Sequence, residues 1–98
     1  MNATLLSPDA ILSASEDAVA REVGGELVLM HPASGTYFGL NPVGARIWQL
    51  IEDEPRSLAS LCEVIAAEFD APVDVIEQDL AALAGDLAAH NLIEVQAA

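Results

Sequence analysis

The sequence contains no lysine. Its strong cations are Arg21, Arg46 and Arg56, set against sixteen acidic residues for a formal charge of −13 at pH 7. A nucleic-acid-binding protein needs lysine and arginine to displace counterions from phosphates, so this chain repels a polyanion. The same field attracts a basic peptide or protein partner, although excess acid also serves solubility alone. Aromatic residues are scarce, 4% against a hydrophobic fraction of 53%. The core must then come from Leu, Ile, Val and Ala, which favours helices packed on a small sheet. One cysteine, Cys62, excludes an internal disulfide; it falls in a helical pattern among apolar neighbours, where a buried inert thiol is expected. No apolar run approaches the roughly 18 residues of a membrane span, and no basic segment leads into an apolar one at the N-terminus. A cytoplasmic protein is expected.

Ninety-eight residues fit one domain, long enough to bury a core without disulfides or metal. Residues 1–16 (MNATLLSPDAILSASE) show neither the helical nor the strand period, so 1–17 reads as a flexible N-terminal arm and 18–95 as the folded domain. From Ala18 the period becomes two. Val19, Arg21 and Val23 alternate with small or charged residues, and Gly24-Gly25 supplies a hairpin turn that tolerates positive φ. Glu26 to His31 reads as a second strand, Pro32 to Gly35 as a tight turn, and Thr36 to Leu40 as a third strand. Short turns on both sides predict an antiparallel meander with the second strand central.

At Asn41-Pro42 the pattern changes to helical, with Asn suited to the N-cap and Pro to the first helical position. Val43, Ile47, Leu50 and Ile51 recur at helical spacing, with Trp48 beside them, up to Glu52-Asp53-Glu54-Pro55. Ser57 is the next N-cap candidate, and Leu58, Leu61, Ile65 and Phe69 keep one apolar face as far as Asp70-Ala71-Pro72. A third helix begins between Pro72 and Asp74, where Asp74 and Glu77 have the spacing of a capping box. Its stripe is Ile76, Leu80, Leu83 and Leu87. It ends at His90-Asn91, after which Leu92, Ile93 and Val95 can fold back onto the core. The predicted order is β-β-β-α-α-α, an α+β fold.

Reactive groups are few. His31 falls at a strand end and His90 at a helix end, where the macrodipole favours positive charge. Cys62, His31 and His90 lack the close pairings that bring zinc ligands together, and Glu52, Asp53 and Glu54 lack the alternation and Gly of a calcium loop. Gly24-Gly25 joins two strands instead of opening a helix, so it is no phosphate cradle. The residues imply no catalytic set, metal or cofactor.

The third strand is unusual. It lies at an edge, carries Tyr37, Phe38 and Leu40, and has none of the Lys, Pro or bulge devices that blunt exposed edges. A partner strand can complete such an edge, with backbone hydrogen bonds giving affinity and side-chain pockets giving specificity. Alternatively the third helix or the arm covers it, or a homodimer forms through it.

From Ala18 to Val95 the sequence resembles the PqqD-like peptide chaperones, also called RiPP recognition elements, where RiPP denotes a ribosomally synthesized and post-translationally modified peptide. The most specific part is GTYFGLNPVGARIWQLI: a turn Gly, an aromatic strand, a Leu-Asn start to the helix and an Ile-Trp on it, without a gap. The resemblance implies a winged helix-turn-helix-like fold without nucleic-acid binding, and no catalysis. It implies that the leader of a precursor peptide binds as an antiparallel strand along Thr36, Tyr37, Phe38, Gly39 and Leu40. The opposite wall would come from Asp79, Leu80, Leu83, Asp86 and Leu87, although core packing against the sheet is the favoured reading of Leu80 and Leu83. The partner so implied is a separate modifying enzyme, such as a radical-SAM protein or a lasso-forming protease and cyclase. Members from the quinone cofactor pathway have a different segment before the first helix, so the resemblance is nearer to stand-alone members beside lasso-peptide or other peptide-modifying enzymes. A structural subunit that joins such an enzyme without touching peptide is the rival expectation.

Overall fold

The computed structural model describes residues 8–96, along which the chain forms β1 (Ile11–Ala14), β2 (Val19–Val23), β3 (Glu26–His31), β4 (Thr36–Leu40), α1 (Pro42–Asp53), β5 (Arg56–Ser57), α2 (Leu58–Phe69), α3 (Val73–Ala89) and β6 (Ile93–Gln96). The meander is β2-β3-β4, antiparallel throughout, with β3 central. Its first turn depends on backbone that only glycine adopts cheaply: Gly24 and Gly25 have φ of 61° and 86°. In the second turn Gly35 has φ 74°, and its N–H donates to the His31 carbonyl at 2.8 Å. These turns pair Leu29 with Phe38 and Leu27 with Leu40, so one face of the sheet is apolar and faces the helices.

The helix boundaries follow local chemistry. The Asn41 side chain accepts from the Gly44 N–H at 2.8 Å with Pro42 in the first turn, and Ser57 accepts from the Ser60 N–H at 3.1 Å. Asp70, at φ 52°, ends α2, and Asn91, at φ 60°, follows α3 in the left-handed region. The capping box expected at Asp74 does not form. Pro72 occupies the cap without a side-chain hydrogen bond, and Asp74 lies inside the first turn, where its charge still complements the helix dipole.

The larger difference lies at the two ends. Part of the expected arm is strand β1, which pairs with β6 along Ile11↔Gln96 to Ala14↔Ile93 and with β5 through Leu12↔Arg56. It is the central strand of a second three-stranded sheet, β5-β1-β6, and Leu12 is 1% exposed. The folded unit therefore starts before residue 18; residues 1–7 of the expected arm lie outside the described residues. The physical reason is that β1 is stabilised by partners more than forty residues away, and the four-residue ILSA has too little periodicity to reveal them. Leu92 and Ile93 do fold back onto the core, Ile93 as the first residue of this closing strand.

Between the sheets and helices lies one cluster that includes Leu12, Leu29, Leu40, Ile47, Trp48, Ile51, Leu61, Ile65, Leu80 and Leu87. Aliphatic side chains fill it around a single indole. Cys62 is part of it, and desolvation, reinforced by Glu77 and Glu63, pushes its thiol pKa up. On the surface Arg46 of α1 clasps Glu68 of α2 through two parallel contacts, 2.9 and 3.0 Å, while Arg56 donates to the Leu50 carbonyl at 3.2 Å.

Candidate functional site

Because Leu40 runs into α1 through Asn41 alone, the first two turns of α1 are held close to the end of β4. The α3 helix lies opposite, and a groove of about 490 Å³ remains between β4 and α3. Phe38, Gly39 and Leu40 form one side; Ile76, Asp79, Leu80, Ala82, Leu83 and Asp86 form the other; Asn41, Val43, Gly44 and Ile47 form the floor. Among the described residues no strand lies beside the outer edge of β4, since the sheet order ends there.

Seven of the ten residues expected at the site line this groove: Phe38, Gly39, Leu40, Asp79, Leu80, Leu83 and Asp86. Thr36 and Tyr37 belong to the same strand but lie outside the groove, Tyr37 on the other face and 71% exposed. Leu87, 2% exposed, is turned into the core. Leu80 has both characters: it borders the groove yet is 2% exposed, so it is chiefly a core side chain. Leu83 is half-buried and is the better candidate for contact.

Sequence reasoning missed the floor. Val43 and Ile47 were legible as the apolar stripe of α1, but what that stripe faces depends on where α3 packs. Gly44 has a clearer cause. A Cβ placed there meets Leu40 Cδ2 at 3.2 Å and Asn41 Oδ1 at 3.4 Å, so the close approach of β4 and α1 leaves little room for a side chain. At one end of the groove His90 closes over Phe38, ring centroids 5.8 Å apart and edge to face. His90 is held there because its Nδ1–H donates at 2.7 Å to the Asp86 carbonyl, which also accepts from the His90 backbone N–H at 3.2 Å.

The groove's electrostatics are one-sided. Asp79 and Asp86 are exposed on α3, no basic residue lines the groove, and neither carboxylate has an ion pair among the described residues. The surface offers apolar contact along its length, two anionic positions two helical turns apart, and an open row of backbone donors and acceptors. Such a site can take an extended chain. Among the described residues no three His, Cys, Asp or Glu side chains converge as a metal site would require, and no helix is long and apolar enough to cross a membrane.

Comparison with known proteins supplies the context. The profile of the family described as "Coenzyme PQQ synthesis protein D (PqqD)" matches residues 26–93, more than half of the chain. A solved structure of TbiB1 in complex with the TbiA(beta) leader peptide is 35% identical, covering 84% of this chain and 94% of that one, with a TM-score of 0.74. The solution structure of the PqqD truncation of Methylobacterium extorquens PqqCD, described as a functional and stand-alone RiPP recognition element, is 20% identical with a TM-score of 0.78. It covers 96% of this chain and 99% of that one, and shows the likeness of fold. No match was found among curated proteins. The "winged helix-turn-helix" description fits this architecture loosely, because β1, β5 and β6 add a second sheet to the meander and helices.

Proposed function

We propose a function on the premise that this chain belongs to the PqqD family: it recognises the leader of a precursor peptide in RiPP biosynthesis and performs no catalysis itself. The observation that carries the reading is the juxtaposition of an unguarded β4 edge with an apolar, anionic groove walled by α3. A leader segment adds to Thr36–Leu40 as an antiparallel strand. Alternate side chains then enter the groove against Phe38, Leu40, Leu83 and the carboxylates of Asp79 and Asp86, while Leu80 and Leu87 support the wall from beneath. A leader carrying Lys or Arg fits better than an acidic one, because peptide that covers Asp79 and Asp86 removes their water and must replace it with donors.

The contribution to the pathway is proximity. Holding the leader leaves the rest of the precursor tethered near a modifying enzyme, and tethering raises the effective concentration of substrate without any chemistry in the carrier. A lasso-type protease and cyclase or a radical-SAM protein are the enzyme classes that fit such a carrier, acting in the cytoplasm where precursors are made. Isothermal titration with the leader of the precursor encoded beside this chain's gene tests the reading. Wild-type protein should bind it, and Leu83→Glu should lose at least ten-fold in affinity with an unchanged far-UV spectrum. Absence of heat with the wild type, or equal binding by the variant, would refute it.

A further inference from the structure

The face of the meander turned away from the helices carries exposed residues. Alternation along β4 sends Phe38 and Leu40 inward and Tyr37 and Gly39 outward, and the strand pairing aligns Gly39 with Val28 and Tyr37 with Met30. Tyr37 is 71% exposed, Gly39 is exposed, and Val28 and Met30 are only half-buried. Gly39 is not required by its backbone: its φ is not in the left-handed region, and a Cβ built on it meets no atom within 4 Å. Val would therefore fit, and strand propensity favours Val over Gly. Gly39, the fourth of the five β4 residues, borders the groove with its backbone but leaves a bare side-chain position on the outward face, a notch beside Val28 across the strand pair and Tyr37 along the strand.

We infer that this notch is a second specificity subsite, which takes a bulky apolar side chain, preferably aromatic, from the outward face of the bound peptide strand. The inference rests on peptide addition at β4. A residue directly across from Gly39 would have its Cβ about 5 Å away, and its side chain would lie over the bare Cα toward Val28, with Tyr37 at the diagonal distance of about 7 Å. An aromatic ring covering a cross-strand glycine restores the contact that the glycine lacks. The peptide is thus read on both faces: by apolar and anionic contacts within the groove, and by one large ring over Gly39 outside it.

A library of random 15-residue peptides, displayed and selected on the full chain, tests this without knowledge of the natural precursor. Selected peptides should share an aromatic or large aliphatic position. Replacing that residue with Ala should weaken binding to wild-type protein about five- to ten-fold, yet change little on Gly39→Val, whose branched side chain already fills the notch. Gly39→Val should in turn weaken the unsubstituted peptide by a similar factor while melting no lower than wild type. If selected peptides shift the amides of β4 but the two substitutions act additively, the subsite is wrong and edge recognition stands. If no peptide is selected, both fall.

Discussion

Leu80 and Leu83 lie three residues apart on α3 and were indistinguishable as members of one helical stripe, yet the fold gives them different work. Leu80 is 2% exposed within the central cluster, so Leu80→Ala leaves a cavity and should cost about 2–5 kcal/mol in urea denaturation. Leu83 is half-buried at the groove, and Leu83→Ala should cost clearly less stability while removing more peptide affinity. Loss of both properties in the same ratio at the two positions would contradict the division. A helix pattern tells which residues face inward but not whether they meet core or cleft. That depends on how far β4 stands from α3, a tertiary distance that no local pattern encodes.

The Arg46–Glu68 pair makes a second prediction at this scale. The Arg46 guanidinium, chiefly through its hydrogen bonds, holds the Glu68 carboxyl below its ordinary pKa. A depressed carboxylate pKa contributes stability that is present above the unfolded value and is lost as pH falls through the folded one. The stability gap between wild type and Glu68→Gln should be flat from neutral pH to the ordinary carboxylate range and close on further acidification. Both side chains are more than a third exposed, so the gap is small and should shrink with salt. Chemical denaturation of the two proteins along a pH series measures it; a gap that widened in acid would reverse the sign.

At the scale of elements, the decisive strand is the one least visible in the sequence. β1 lies between β5 and β6 and buries Leu12. Leu12→Ala should therefore cost about 2–5 kcal/mol, and removal of residues 1–17 should abolish the cooperative melt. A truncated chain that melted like the full one would restore the reading of this segment as an arm. The meander and helices were legible because each carries its own local signal: Gly24-Gly25, Pro32 to Gly35, Asn41-Pro42, Ser57 and Asn91 all act within a few residues of themselves. β1, β5 and β6 are two to four residues long and are held together by pairings such as Ile11↔Ser57 and Leu12↔Val95, which no local pattern encodes.

For the whole molecule, charge and shape point to the same partner. A chain of −13 with an open strand edge beside an anionic groove is suited to an extended segment bearing cations, and its on-rate for such a segment should fall as salt is added. The similar structure of TbiB1 holds the TbiA(beta) leader peptide, while the residues that would make a contact here are those of this chain's own β4, α1 and α3. The most direct test is an amide NMR titration of the 15N-labelled full chain with the leader encoded beside its gene. The account predicts the largest shifts, and new protection from hydrogen exchange, at Thr36 to Leu40, with a second set along Ile76 to Asp86. Binding that left the β4 amides unshifted and unprotected would contradict it.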